Sequence, residues 1–284
     1  MDLFIKIGIN MTRKIVAIGG GESGRIKSNG TKTPYETGAI DAEIVKLTGR
    51  ANPHLLVLAH AQPLENQAGY FDCVAPNYKK LGCECKYLPS DRLTDAKYVA
   101  ELLDWADIIY EGGGDTMTMI KLWRDTGFDK KLIAAWEKGK VMCGLSAGAN
   151  CWFKMCSTDS LKILYGDDQP LVGMECLGLV PGLFVPHCNE SGRLESVKNI
   201  LKDTPDTIGI AMSNCMAIEI IDDKYRLIAG DGAARNLTPY GKKLYWAGGK
   251  YIEQTIPHTA DMRPITELYT VSDPENIQVC GSAH

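Results

Sequence analysis

The stretch Lys140-Val141-Met142-Cys143-Gly144-Leu145-Ser146-Ala147-Gly148-Ala149-Asn150 decides how the chain is read. Its first four residues form an apolar, strand-like lead-in. They run into Gly144-x-Ser146-x-Gly148, and a helix is expected to follow. This is the strand–turn–helix setting of a nucleophile elbow. Such a turn is too tight for side chains at its flanks, which accounts for glycine at 144 and 148. Its tip presents one side chain, Ser146, above the end of the sheet. The N-terminal amides of the following helix aim at the same spot, where negative charge develops in acyl transfer. The bare pattern also fits an ordinary tight turn, so the rest of the chain has to decide.

Upstream, short apolar strands at 13–19, 54–59, 83–88 and 107–110 alternate with helical spacing at 36–49, 65–81, 94–103, 116–125 and 129–138. Thr94 is the expected cap of the third helix. Downstream, an apolar stretch over 177–185 ends in Pro186-His187, and a helix is expected over 192–201. Strands follow at 207–212, 216–221 and 225–229. The alternation predicts an α/β fold: a mostly parallel sheet with helices on both faces. Ligands of such sheets bind beyond the carboxyl ends of the strands. Gly112-Gly113-Gly114, Ser146 and His187 all fall at that edge. A single domain over 11–245 is expected, with residues 1–10 as an extension and 246–284 as a tail packed on the domain or partly flexible.

Composition narrows the function classes. With 284 residues, 45% hydrophobic and 23% charged, the chain has room for one sizeable core or at most two. A net charge of −4 gives no reason to expect nucleic acid or an anionic membrane as partner. No apolar run reaches the length of a membrane span. Asp2 and Lys6 spoil the first ten residues as a signal peptide, and Met11 opens a better start. The ten cysteines include no Cys-x-x-Cys pair and no zinc-finger spacing. Several sit in apolar stretches, as small buried hydrophobes do, and Cys83 and Cys85 face one side of a strand. They read as reduced thiols of a cytoplasmic protein, and no metal is expected. Gly19-x-Gly21-x-x-Gly24 has dinucleotide spacing. A polar loop follows it instead of an apolar helix, no Lys-Ser/Thr completes a phosphate loop, and no acidic residue ends a second strand. No cofactor is expected.

A serine hydroxyl needs an adjacent base. Of the five histidines, His54 starts a strand at the wrong end of the sheet, and His258 and His284 lie in the tail. His60 ends the second strand. His187 ends the strand after the elbow unit and is preferred over His60 on geometry. The carboxylate that orients the imidazole is sought among Asp159, Asp167, Asp168 and Glu175. Asp167 and Asp168 also suit a plain turn. Asp159, just after the elbow helix, is preferred. The oxyanion would be held by the N–H of Ala147 and a second donor from Gly113 or Gly114.

At this point the motifs resemble a known family. Gly144-Leu145-Ser146-Ala147-Gly148-Ala149-Asn150 is similar to the nucleophile motif of the serine peptidases that include peptidase E (aspartyl dipeptidase) and cyanophycinase. Their fold is that of class I glutamine amidotransferases. Ile15-Val16-Ala17-Ile18-Gly19-Gly20-Gly21, Glu111-Gly112-Gly113-Gly114-Asp115-Thr116, and Val185-Pro186-His187 followed by Arg193 match further landmarks. The resemblance implies a serine-type peptidase acting on small peptides through an acyl-enzyme, with dipeptides bearing N-terminal Asp as the expected substrates. It implies Ser146 as nucleophile, His187 as base, Asp159 as acid, and an oxyanion site at Gly114 and Ala147. Arg193 would grip the substrate's acidic side chain bidentately. Gly113 and Asn150 complete the expected substrate contacts, in a monomer or homodimer.

The chain also departs from the family. Leu145 replaces an aromatic residue, Ser196 stands where a second arginine follows, and His60-Ala61-Gln62 is unfamiliar. Met212-Ser213-Asn214-Cys215 lacks the acidic residue that relatives carry in that loop. An α/β-hydrolase esterase or amidase competes. However, His187 follows Ser146 by only 41 residues and no His-Gly-Gly-Gly precedes the elbow. A non-enzymatic peptide-binding or small-molecule-binding protein on the same fold would not need Ser146, His187 and a carboxylate together.

Overall fold

The computed structural model describes residues 11–26 and 29–271. In chain order its elements begin with β1 (Lys14–Ile18), α1 (Gly38–Lys46), β2 (His54–Val57), α2 (Leu64–Lys80), β3 (Glu84–Tyr87), α3 (Ala96–Trp105), β4 (Ile108–Glu111), α4 (Thr116–Thr126), α5 (Phe128–Glu137) and β5 (Val141–Leu145). Next come α6 (Ala147–Asn150), β6 (Phe153–Thr158), α7 (Ser160–Tyr165), β7 (Val172–Glu175), β8 (Val180–Val185), α8 (Arg193–Asp203) and β9 (Gly209–Met212). The chain closes with β10 (Met216–Ile221), β11 (Lys224–Ala229), β12 (Gly241–Ala247), β13 (Lys250–Ile256), β14 (Arg263–Pro264) and α9 (Thr266–Tyr269).

The strands form two sheets, ordered β14-β11-β10-β1-β5-β4-β2-β3 and β13-β12-β9-β8-β6-β7. β1, β5, β4, β2 and β3 run parallel, as the alternation of short apolar strands and helices predicts. β1 pairs antiparallel with β10 on its other side. In the second sheet only the β6–β8 and β8–β9 pairs are parallel. The fold is therefore mixed α/β. The expectation of one mostly parallel sheet holds for the first five strands and not for the two sheets together.

Side-chain alternation sorts the central strands between two cores. Ile15 and Ala17 of β1, Met142 of β5 and Ile109 of β4 join the core that also holds Trp152, Phe184 and Ile210 of the second sheet's side. Val16, Ile18, Cys143 and Tyr110 face the other way and pack under Ile40 and Ile44 of α1 and Val74 and Tyr78 of α2. Strands buried on both faces need such continuous apolar runs. A third, smaller core sets Leu183, Val185 and Ala211 against Val197 and Leu201 of α8.

Several local expectations shift for physical reasons. The cap of α3 is Asp95, not Thr94: its carboxylate accepts from the N–H of Tyr98 at 3.0 Å. The helix after the elbow is a single turn, α6, and the chain re-enters a sheet at once as β6. The expected boundary at 245 falls inside β12, whose partner β13 is built from the supposed tail. Residues 1–10, expected as an extension, and 272–284 of the tail lie outside the described residues. No helix among the described residues is long and apolar enough to cross a membrane.

His60, the less favoured base, is sealed in the fold. Its Nε2 lies 2.8 Å from the carbonyl of Leu88, and its Nδ1 accepts from the indole N–H of Trp123 at 2.9 Å. Burial pushes its pKa from 6.5 down to about 4. The unfolded chain therefore binds more protons than the folded one between these values, so stability falls as pH falls through that window. Urea titrations at pH 7 and pH 5 should show His60 accounting for about 2 kcal/mol of the stability lost between them. His60→Gln should flatten the difference by that amount.

Candidate active site

Ser146 sits at the junction of β5 and α6 with φ 57° and ψ −111°. That conformation lies outside the wells open to L-residues and costs about 1–3 kcal/mol. The neighbours hold it. The Ser146 N–H donates to Ile18 O at 3.0 Å, continuing the β1–β5 pairing. The end of β4 lies directly on the turn: a Cβ at Gly148 would sit 2.1 Å from Glu111 O, and one at Gly144 would sit 2.4 Å from Gly148 O. Glycine at both flanks is thus a steric requirement.

His187 follows β8 in the second sheet, also at positive φ (52°). Its N–H donates to Gly19 O at 2.9 Å, and the N–H of Cys215 donates to Gly20 O at 2.9 Å. The loop after β1 is therefore clamped between the loops after β8 and β9. It passes so close that a Cβ on Gly20 would lie 2.1 Å from Asn214 Oδ1 and 2.3 Å from His187 Nδ1. The glycine run that mimics a dinucleotide loop serves here to admit the imidazole.

Ser146 Oγ and His187 Nε2 are 2.9 Å apart, and His187 Nδ1 is 2.7 Å from Asn214 Oδ1. An amide oxygen only accepts, so Nδ1 carries the proton and Nε2 accepts from the Ser146 hydroxyl. The amide orientation is assigned from its bonds. It is self-consistent, because Asn214 Nδ2 donates to Glu190 Oε1 at 3.1 Å. Burial lowers the pKa of His187 below 6.5, against the pull of Glu190 and Asn214.

The glycine loop after β4 lies beside the serine: a Cβ on Gly113 would be 3.5 Å from Ser146 Cβ. The Gly113 N–H donates to Tyr70 Oη at 3.1 Å. Among the described residues the N–H groups of Gly114 and Ala147 have no acceptor. Glu111 pins the base of this loop, its Oε1 accepting from the N–H of Gly112 at 2.9 Å and of Ala61 at 3.2 Å. Burial pushes that carboxyl up to about 8, so it keeps its proton at neutral pH. Ser146 and His187 open onto a cavity of about 370 Å³ walled by Glu22, Arg25, Gln62, Tyr70, Leu145 and Arg235. Arg25 is forked onto Glu22 at 2.9 and 3.0 Å, and Arg235 Nε donates to the buried Glu36 at 2.9 Å. No metal-holding cluster of His, Cys, Asp or Glu occurs among the described residues.

The structure brings Ser146, His187, Ala147 and Gly113 together, sets Gly114 next along the same loop against Ala61 and Gln62, and gives the other expected residues no side-chain hydrogen bond to Ser146 or His187. Asp159 does not hydrogen-bond His187; its carboxylate meets Arg193 Nη2 at 2.6 Å. Arg193 Nη2 thereby ties the start of α8 to the β6–α7 turn, its buried Nη1 has no partner among the described residues, and the side chain does not line the cavity. Asn150 is buried behind the elbow, where its Nδ2 donates to Thr116 Oγ1 at 3.1 Å. Asp167 and Asp168 lie in the exposed turn after α7, and Glu175 lies on β7. Sequence reasoning missed Asn214 and Glu190. The signals available were the missing acid in Met212–Cys215 and a carboxylate three residues after His187.

The sequence pattern of Peptidase family S51 matches residues 15–228, and the chain belongs to that family. An uncharacterized peptidase, YgaJ, of Bacillus subtilis (strain 168) is 28% identical over 213 residues, which cover 75% of this chain and 85% of that one. Peptidase E of Citrobacter koseri is 36% identical over 92 residues, 31% of this chain and 37% of that one. Among solved structures, a peptidase from an acI-B1 Actinobacterium superposes with TM-score 0.64 at 19% identity, over 90% of this chain and 98% of that one. A putative peptidase E of Listeria monocytogenes EGD-e gives 0.54 at 16%, over 77% and 98%. These two show a shared fold.

Gly20→Ala should drive the imidazole away from Asn214. We expect a loss of roughly 100-fold or more in peptidase activity. The expected cost in stability, read by urea unfolding, is about 1–3 kcal/mol.

Proposed function

We propose that this S51 peptidase hydrolyses small peptides by acyl transfer through Ser146, and the 2.9 Å contact between Ser146 Oγ and His187 Nε2 carries the reading. His187 takes the hydroxyl proton as Oγ attacks the scissile carbonyl. The tetrahedral oxyanion is held by the unpaired N–H groups of Ala147 and Gly114. The same Nε2–H then protonates the leaving amine. Water repeats the sequence on the acyl-enzyme with the roles reversed. Asn214 takes the orienting role expected of Asp159, holding the tautomer that leaves Nε2 free to accept.

The substrates we propose are short peptides, dipeptides with N-terminal Asp among them. Two guanidinium groups wall the cavity. Both carboxylate oxygens of Glu22 occupy the Nε–Nη2 edge of Arg25, whereas Glu36 engages only Nε of Arg235 among the described residues. Arg235, in place of Arg193, is therefore the candidate for an acidic substrate side chain.

A fluorophosphonate should label Ser146 in the wild type and leave Ser146→Ala unlabelled. The same variant should lose about three or more orders of magnitude in turnover with its unfolding curve unchanged. Turnover at the wild-type rate in Ser146→Ala would remove the serine mechanism. A panel of Asp-Xaa, Glu-Xaa, Ala-Xaa and β-Asp-Xaa dipeptides tests the specificity. Selective Asp-Xaa cleavage should fall at least ~10-fold in kcat/KM in Arg235→Ala. Equal cleavage of Ala-Xaa and Asp-Xaa by the wild type would reject the acidic preference.

A further inference from the structure

The residue bonded to His187 Nδ1 is neutral. An amide orients an imidazole as well as a carboxylate does, but it does not stabilise the cation that forms when the imidazole takes a proton. The site therefore has the geometry of a charge-assisted triad without the charge at its usual place. The nearest carboxylate is not far away. Glu190 Oε1 lies 3.5 Å from His187 Nδ1 and 3.1 Å from Asn214 Nδ2.

We propose that Glu190 is a positioning residue for the reaction: through Asn214 it fixes the His187 tautomer, and across 3.5 Å it supplies the negative charge that Asn214 lacks. The inference rests on the reading of Ser146 and His187 as nucleophile and base.

Glu190 only accepts, so it turns the NH2 end of Asn214 toward itself and the oxygen toward His187. That in turn forces the proton onto Nδ1 and frees Nε2 for Ser146. The Asn214 loop is also held from behind, since its backbone N–H donates to Asn189 Oδ1 at 2.7 Å. The carboxylate, its amide relay and the imidazole thus form one chain that ends at Ser146 Oγ.

The other charged groups around His187 stand in ion pairs. Asp159 meets Arg193 at 2.6 Å, Glu22 holds Arg25, and Arg235 meets Glu36. Glu190 itself is 3.9 Å from Arg193 Nε, farther than from the imidazole. Arg193 works against a cation at His187, and Glu190 is the larger influence in its favour. The Glu190 side chain is 45% exposed, so solvent weakens the effect without abolishing it.

The test follows the imidazole directly. His187 is titrated by NMR in 15N-histidine-labelled wild type, Glu190→Gln, Glu190→Asp and the double variant Glu190→Gln/Asn214→Asp, with His187→Ala as the assignment control. The rate of labelling by a fluorophosphonate is followed over the same pH range. Removing the charge disfavours the imidazolium, so the pKa in Glu190→Gln should fall by about one unit. The acidic limb of the labelling profile should move down with it, and the alkaline plateau should drop roughly 10-fold. Glu190→Asp should keep most of the wild-type behaviour. Asn214→Asp in the Glu190→Gln background should restore both pKa and plateau, because it puts the charge directly on the Nδ1 partner.

An unchanged His187 pKa in Glu190→Gln overturns the proposal. So does a lowered plateau with an unmoved limb, which marks a merely structural role. A wild type that takes no label would instead reject the reading of Ser146, and the NMR titration would still decide the role of Glu190.

Discussion

The hydrogen bond between Ser146 Oγ and His187 Nε2 spans two sheets, and neither sheet contains the site alone. Ser146 ends a strand of the first sheet and His187 ends a strand of the second. The chain crosses from the first sheet to the second through one helical turn, α6, buried along its length. A contact of this length tolerates little error in how the sheets meet. The tolerance is set by the backbone of Gly19 and Gly20. It accepts N–H groups from the His187 loop and the Asn214 loop, and its missing side chain lets both come within contact distance.

Burial then decides the chemistry. His187 is largely withdrawn from water, which lowers its pKa and favours the neutral imidazole. The charges nearby are closed into pairs: Arg193 with Asp159, Arg25 with Glu22, Arg235 with Glu36. Glu111 keeps its proton instead. These arrangements leave the mouth of the cavity with few uncompensated charges. In such a setting a single carboxylate a few ångströms away has leverage on a proton transfer.

The elements closest to the elbow were readable in the sequence because local rules governed them. Apolar runs and glycine breaks gave β1, β4 and β5, and the small residues at 144 and 148 gave the turn. His187 was found by its place at a strand end. Of the second sheet only β8 and β9 were readable, as apolar runs at 177–185 and 207–212. β6 begins three residues after α6, where a longer helix was the natural expectation, and β7 is too short and too exposed to signal itself. Without that sheet the path of 153–185 was unknown, so Asp159 seemed free to reach His187. The structure gives its carboxylate to Arg193. Asn214 lies in the loop Met212-Ser213-Asn214-Cys215, whose only sequence signal is the lack of an acidic residue. Its role depended on a three-residue link between β9 and β10 folding over Gly20, a tertiary contact with no local pattern.

The cavity in front of Ser146 measures about 370 Å³, near the small end of ligand sites. Its walls are braced. The carboxylate of Glu36 accepts from both the Glu22 N–H and Arg235 Nε, and the Glu22–Arg25 pair closes the same side. One buried carboxylate oxygen of Glu36 thus joins two walls of the cavity, the backbone of the loop after β1 and the side chain of Arg235, so moving either wall would leave a buried acceptor short of a partner.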